Sequence, residues 1–249
     1  MITRFISDLH LSENRPDITG LFVQFLRSEA RESDALYILG DLFDYWIGDD
    51  DNTPFHRHIM HELKQLTSNG VPCYFIAGNR DFLIGERFAE ETGVTLLTEP
   101  FIADLYGVPT LLMHGDSLCT EDTGYQRFRR LIRNPKLLRF LTKLPLPWRR
   151  KIAHKLRSNS KSSKPLTQAQ LARMDATDEA VREAFETAQV DRMIHGHTHK
   201  PNVHEHSLAN GAIATRIVLG DWYEQGSILE LSADTFMLRS EPFGNDDFI

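Results

Sequence analysis

The constraint that most shapes this chain is a repeated figure: a short apolar run that stops at a chemically useful side chain. Ala35–Leu39 is followed by Gly40-Asp41-Leu42-Phe43-Asp44. An apolar run of this length, ended by a glycine, reads as a buried strand closed by a tight turn. The figure recurs. Arg4–Ser7 runs into Asp8-Leu9-His10, and Val71–Ala77 into Gly78-Asn79-Arg80-Asp81. Thr110–Met113 runs into His114-Gly115-Asp116, and Arg192–Ile194 into His195-Gly196-His197-Thr198-His199. Ile18–Ala30 has helical spacing (Ile18, Leu21, Phe22, Phe25, Leu26) and predicts a crossover helix, so the first two strands form a βαβ unit. Ile84–Glu91 predicts a helix closing a second unit, and Gln168–Thr187 another helix. Ile213–Leu219, Ser227–Leu231 and Phe236–Leu238 predict strands that complete the sheets.

In open α/β sheets, ligands bind outside the carboxyl ends of the strands. Five strand ends here deliver carboxylates, imidazoles and one amide to that edge. Alternate residues at a strand end share a direction, so Asp8 and His10 are expected to converge while Leu9 faces the core. Asp41, with two oxygens, is expected to bridge two cations. Mixed nitrogen and oxygen donors suit Mn, Fe, Co or Zn better than Ca or Mg. Two such ions roughly 3.5–4 Å apart can activate water and clamp an in-line displacement at phosphorus. There is no Walker loop and no G-x-G-x-x-G, so phosphate would be held by metals.

The remaining clusters read as structure. Asp49, Asp50 and Asp51 lack calcium-loop spacing and are expected to form a solvated acidic loop. His56, His58 and His61 are expected on a helix through Leu66 as surface or packing residues. Cys73 and Cys119 have no zinc or redox spacing and are expected to be reduced thiols. No apolar run approaches the ~18 residues of a membrane span. The chain enters a strand at once, so no signal peptide is expected.

One segment departs from the rest. Net charge is −7, which argues against a general nucleic-acid binder, yet 127–164 holds 14 Lys and Arg and no acid. Phe128, Leu131, Ile132, Leu137, Leu138, Phe140, Leu141, Trp148, Ile152 and Leu156 are interleaved. Pro145 and Pro147 break the stretch into at least two helices. Such basic amphipathic helices read as an element lying on an anionic membrane surface. A packed helical insertion with solvated charges, or a nucleic-acid cleft, are the other readings. Ser158–Lys164 is a polar turn that could close on a phosphate, or a plain linker.

The series D-x-H, G-D-x-x-D, G-N-x-D, H-G-D and G-H-T-H, spanning Asp8 to His199, resembles the calcineurin-like metallophosphoesterases. The resemblance implies an α/β fold, an α+β sandwich of two packed mixed sheets flanked by helices. It implies one domain over 1–249 with a helical cap insertion at about 120–166. It implies two Mn²⁺ per chain, one held by Asp8, His10, Asp41 and His197, the other by Asp41, Asn79, His114 and His195. His199 would stand one step outside that set. Where many relatives have His after Gly-Asn, this chain has Arg80. A guanidinium cannot donate a proton at working pH, but it can grip a phosphate oxygen. A phosphate leaving group, with a last pKa of about 6, needs no acid. Arg80 therefore favours pyrophosphate cleavage.

Together with the basic apolar insertion, this is similar to family members that hydrolyse a UDP-linked diacylated glucosamine in lipid A biosynthesis. That similarity implies Asp41, Asn79, Arg80, His114 and His195 as catalytic residues. It implies Asn79, Arg80, Asp122, Ser160, Lys164, Thr167 and His195 as substrate contacts. Tyr125 and Phe128 are expected at the seam between cap and core. It also implies a peripheral place on the cytoplasmic face of the inner membrane, with no nucleic-acid or protein partner. A soluble nucleotide phosphodiesterase or dinucleoside polyphosphatase is the alternative, and a non-catalytic membrane-binding scaffold a third.

Overall fold

The computed structural model describes residues 1–160, 167–168 and 173–242. Among these residues the strands form two sheets. In order across the first run β11 (Phe236–Pro242), β10 (Gln225–Leu231), β1 (Thr3–Ile6), β2 (Ala35–Ile38), β3 (Cys73–Ile76) and β4 (Thr95–Leu97). In order across the second run β5 (Phe101–Leu105), β6 (Val108–Met113), β7 (Arg192–His195), β9 (Ile213–Val218) and β8 (Asn202–Ser207). β1 to β4 are parallel, as are β6, β7 and β9; antiparallel strands complete the edges.

Both faces of each sheet are covered, which is why the central strands are continuous apolar runs rather than alternating ones. Phe5, Leu39, Ile76 and Leu229 of the first sheet meet Leu112, Ile194 and Ile217 of the second. On the outer face of the first sheet, Ile6, Ile38 and Phe75 pack under α1 (Pro16–Arg27), α2 (Pro54–Ser68) and α3 (Glu86–Thr92). On the outer face of the second, Leu111 and Met193 pack under Val181 and Phe185 of α7 (Asp178–Ala188). The result is helix, sheet, sheet, helix, as the resemblance implied.

The expected helix Gln168–Thr187 is corrected. Residues 169–172 lie outside the described ones, and α7 begins only at Asp178, where Thr177 accepts from the Ala180 N–H and starts it. The insertion between β6 and β7 carries α4 (Thr123–Ile132), α5 (Pro135–Lys143) and α6 (Leu146–Ser160). Pro135 is a further divider and opens α5 at a position where its missing N–H costs nothing.

The acidic loop is fastened rather than wholly solvated: Asp51 is buried and Asp49 half-buried, and of the three only Asp50 is exposed. Asp49 accepts from Trp46 Nε1 at 3.0 Å and from the Gly85 and Phe88 amides at 3.0 and 3.2 Å, at the start of α3. Asp50 pairs with Arg149 and Asp51 with Arg150, 99 residues away in sequence. Arg149 is 4% exposed and also donates to the Ile47 and Leu144 carbonyls at 2.7 and 2.8 Å. Hydrogen bonds from a buried charge contribute about 1.5–3 kcal/mol. Arg149→Met, which keeps the stem and removes the donors, is expected to lower unfolding free energy by about 2–3 kcal/mol in urea melts. An unchanged midpoint would show that this clasp does not hold the insertion.

Candidate metal centre

The strand ends meet on one edge, but not by strand alternation. β1 stops at Ile6, and Asp8 and His10 lie beyond it with φ of 55° and 50°. Asp41, His197 and His199 share that left-handed geometry, at 52°, 69° and 56°. Among the described residues only two other non-glycine positions do so, Tyr106 and Gln189. Each such residue costs about 1–3 kcal/mol and persists only where its surroundings enforce it. Strain gathered at one place is a mark of function.

Tight backbone contacts enforce it. The Asp81 carboxylate, fully buried, accepts from the Gly78 and Leu42 amides at 2.8 and 2.7 Å, tying the loops after β3 and β2 together. Ser7 Oγ donates to Asp8 Oδ2 at 2.6 Å, and the His197 N–H donates to the same oxygen at 2.8 Å. The Arg80 N–H donates to Asp41 Oδ1 at 2.8 Å.

The remaining atoms converge. Asp8, His10 and His199 each offer a donor atom within 4.8 Å of the others, and so do Asp8, Asp41 and His114. Asp41 stands between the groups, Oδ2 3.9 Å from His10 Nδ1 and Oδ1 3.9 Å from His114 Nε2. Asn79 Oδ1 accepts from His114 Nε2 at 2.9 Å and from His197 Nδ1 at 3.0 Å. His195 is turned elsewhere: Nδ1 donates to the Gly196 carbonyl at 2.8 Å and Nε2 accepts from Arg216 Nε at 2.9 Å. His199 Nδ1 is 3.0 Å from Asp221 Oδ2 and its Nε2 is 3.3 Å from Asp8 Oδ1. His199 thus belongs with Asp8 and His10, while His195 lies outside both groups.

A scan against family models aligns residues 2–201 with the calcineurin-like phosphoesterases, a span that holds every one of these strand ends. The chain belongs to the calcineurin-like phosphoesterase family. It is 53% identical over 245 residues to the UDP-2,3-diacylglucosamine hydrolase of Photobacterium profundum, an alignment that covers 98% of both chains. It is 51% identical over 243 residues to the protein of that name from Escherichia coli O81, covering 98% of this chain and all of the relative. The protein of that name from Vibrio parahaemolyticus is 49% identical over 243 residues, covering 98% and 99%.

The donor set fits the divalent cations that the phosphoesterase family implies. Asp8 Oδ1 and His10 Nδ1 are buried without a hydrogen-bond partner among the described residues. Burial keeps three imidazoles neutral, pushing His10 down to about 4 and His195 and His197 to about 3, and of these His10 and His197 keep a nitrogen able to ligate. Burial opposes charge on His114 and His199 too, but the carboxylates outweigh it. Asp41 and Asp8 lift His114 to about 9, and Asp221 and Asp8 lift His199 to about 10. Burial would raise Asp8, but His199, His114 and His10 hold it well below the usual carboxylate range. Protons on His114 and His199 would compete with a cation for those nitrogens, so cation binding there would release protons.

The family's other expected residues are spread more widely. Arg80 Nε is buried and lacks a hydrogen-bond partner among the described residues. Asp122 accepts from the Tyr125 N–H at 2.9 Å and starts α4. Tyr125 reaches Asp116 at 2.6 Å and its ring lies 5.9 Å from that of His197; Phe128 is half-buried. Thr167 is exposed, while Lys164 and the side chain of Ser160 lie outside the described residues. Sequence reasoning missed Asp221 and Tyr223, whose ring stacks on His10 at 5.2 Å. The signal for Asp221 was present: Leu219-Gly220-Asp221 repeats the strand, glycine, aspartate figure of Gly40-Asp41. Asp81 stands in the G-N-x-D figure with no role assigned to it there, and Arg216 carried no such signal.

Proposed function

We propose that the protein hydrolyses the pyrophosphate bond of UDP-2,3-diacylglucosamine, giving UMP and 2,3-diacylglucosamine 1-phosphate in lipid A biosynthesis. The observation that carries this reading is whole-length identity of about half to three curated hydrolases of that substrate, in a chain whose strand ends gather carboxylates and imidazoles. In this reading Asp8, His10, Asp41, Asn79, His114 and His197 hold two Mn²⁺ ions, with His199 beside Asp8 and His10, and His195 joins them on giving up its Arg216 contact. Such ions supply Lewis acidity, making water a better nucleophile and offsetting charge on phosphoryl oxygens.

The chain's own groups orient the reaction. Arg80, with its unpaired Nε, grips an oxygen of the pyrophosphate bidentately. The leaving group is then a phosphate, which departs without a proton donor. Asn79 and His195 complete the phosphate contacts. Asp122, Ser160, Lys164 and Thr167 contact the rest of the substrate from a cap at about 120–166.

The insertion supports a place on the cytoplasmic face of the inner membrane. Leu131, Phe140 and Trp148 are 60, 59 and 66% exposed, beside exposed Arg127, Arg130, Lys136, Arg139, Lys143 and Lys151. This is the composition that binds an anionic lipid surface. No helix among the described residues is long and apolar enough to cross a membrane.

Turnover of UDP-2,3-diacylglucosamine with Mn²⁺ in ¹⁸O-water, with and without chelator, tests the reading. The expected label is in UMP, and the reaction is lost with chelator. Label in the sugar phosphate would invert the orientation of the substrate. No turnover, alongside turnover of soluble nucleotide diesters, would sink the lipid assignment.

A further inference from the structure

α4 sets Tyr125, Arg129 and its terminal neighbour Arg133 in one line, four residues apart, and all three face Asp116. The Tyr125 hydroxyl donates to Asp116 Oδ2 at 2.6 Å. Arg129 Nε is 2.9 Å from that oxygen, and Arg133 Nη2 is 3.7 Å from it. Asp116 is fully buried and lies two residues beyond His114. Arg133 Nη2 also donates to the carbonyls of Ala77 and Gly78, both at 3.0 Å. Those two carbonyls immediately precede Asn79, whose Oδ1 stands between His114 and His197.

A seam that only had to pack would be better served by apolar side chains. Burying ion pairs costs desolvation, and replacing them with well-packed hydrophobic residues is often neutral or stabilising. This seam instead keeps Arg129, Arg133, Asp116 and Glu99 together, with the Arg129–Glu99 pair at 3.5 Å. What charge provides here is direction. A guanidinium held by Asp116 fixes two consecutive carbonyls, which fixes the peptide that carries Asn79.

We propose that Arg133 is a positioning residue: through the Ala77 and Gly78 carbonyls it sets where Asn79 Oδ1 stands, and so registers the helical insertion to the metal-holding loops. The proposal rests on the reading above only for the substrate used in its kinetic arm. Asn79 is a candidate ligand, so Arg133 acts on metal affinity and on the chemical step, without touching the acylated substrate.

The test compares Arg133→Met and Arg133→Lys with the parent in the full chain. Mn²⁺ affinity is measured on the metal-free protein from the electron paramagnetic resonance signal of free Mn²⁺, and kcat and KM are measured separately. Partners that orient metal ligands are worth about 10–100-fold in metal affinity or activity when removed. Arg133→Met is expected to lose at least about tenfold in Mn²⁺ affinity and in kcat, with KM within about twofold. Arg133→Lys, which can still donate to a carbonyl, is expected to recover part of both. A lower melting temperature with unchanged Mn²⁺ affinity and kcat per folded molecule would make Arg133 a packing residue and overturn the proposal. A raised KM with the other two unchanged would make it a substrate contact and overturn it equally. Should the Met variant not fold, the Lys variant carries the same comparison. The affinity arm uses no substrate, so failure of the parent to turn over the lipid nucleotide would sink the function and leave the Arg133 result readable.

Discussion

Asp41→Asn is expected to abolish turnover and to leave the fold standing. Asp41 is 2% exposed and lies between His10 and His114 at 3.9 Å from each, where in the proposed reading its carboxylate would serve both cations. Lewis-acid stabilisation of a phosphoryl transition state is worth several kcal/mol, and each 1.36 kcal/mol is tenfold in rate. The expected loss in kcat is therefore about a thousandfold or more. Stability behaves differently. Burial, with the Asp8 charge close by, raises the Asp41 carboxyl from 3.8 to about 6. A carboxyl whose folded pKa lies above its unfolded value binds its proton more tightly in the fold. Its ionisation therefore subtracts stability, from about 3.8 upward, in full once the pH exceeds about 6. At pH 7.5 with chelator, Asp41→Asn is expected to melt no lower than the parent. Added Mn²⁺ should raise the melting temperature of the parent and raise that of the variant less, because binding to the folded state stabilises by mass action. Undiminished turnover would end the two-cation reading. A variant that melts lower in chelator would end the account of charge crowding.

Gly78→Ala is expected to cost both activity and stability. A Cβ at Gly78 would stand 2.1 Å from Asp41 Oδ1 and 2.4 Å from the Asp41 backbone nitrogen. Turning the Asp41 side chain relieves only the first contact, and the second is backbone against backbone. Relief requires the loops after β2 and β3 to part, against the Asp81 carboxylate that binds both. Forcing extra volume into such a contact costs about 1–3 kcal/mol, occasionally more. A misplacement of about 1 Å at a catalytic group costs about a hundredfold in rate. Both losses are expected together, read by urea melts and by kcat/KM at saturating Mn²⁺. Gly124→Ala is the control: its Cβ would meet only Asp122 Oδ1, at 3.6 Å, an ordinary contact. Equal behaviour of the two variants would show that Gly78 is not a steric requirement of the site.

Gly78 also explains why the motifs were legible. The glycines beside Asp41, Asn79, His114 and His197 are where a side chain from another strand comes hard against the backbone. An added Cβ at Gly40 would sit 2.5 Å from His114 Nδ1, and one at Gly196 2.3 Å from Asp8 Oδ2. A site assembled from strand ends therefore writes itself into the sequence twice, as the ligating residue and as the small residue next to it. His195 and His199 show the limit. His195 ends β7 and His199 follows it in the same short motif, but Arg216 from β9 and Asp221 beyond it decide where each ring points.

The insertion shows the same limit on a larger scale. Its basic and apolar composition was plain, and so was its departure from the rest of the chain. Composition could not separate bases that face solvent from those that face the core. Arg129, Arg133 and Arg149 turn inward because Asp116, Glu99 and Asp50 await them, and the exposed Arg150 reaches in to the buried Asp51. For the same reason the acidic loop could be read as solvated.

The sequence by itself determined the strands that carry the site and the turns that end them, though not β4, β5 or β8, together with the edge on which the chemistry gathers and the residue types delivered there. Those follow from local rules: a buried strand must be apolar, a tight turn needs glycine, and a ligand must carry a lone pair. Only the tertiary structure decided which imidazole faces which carboxylate, which arginines are internal and how the insertion is fastened to the loops. Those depend on charges and carbonyls that meet across scores of residues, where the energy of each group is set by neighbours that sequence order does not reveal.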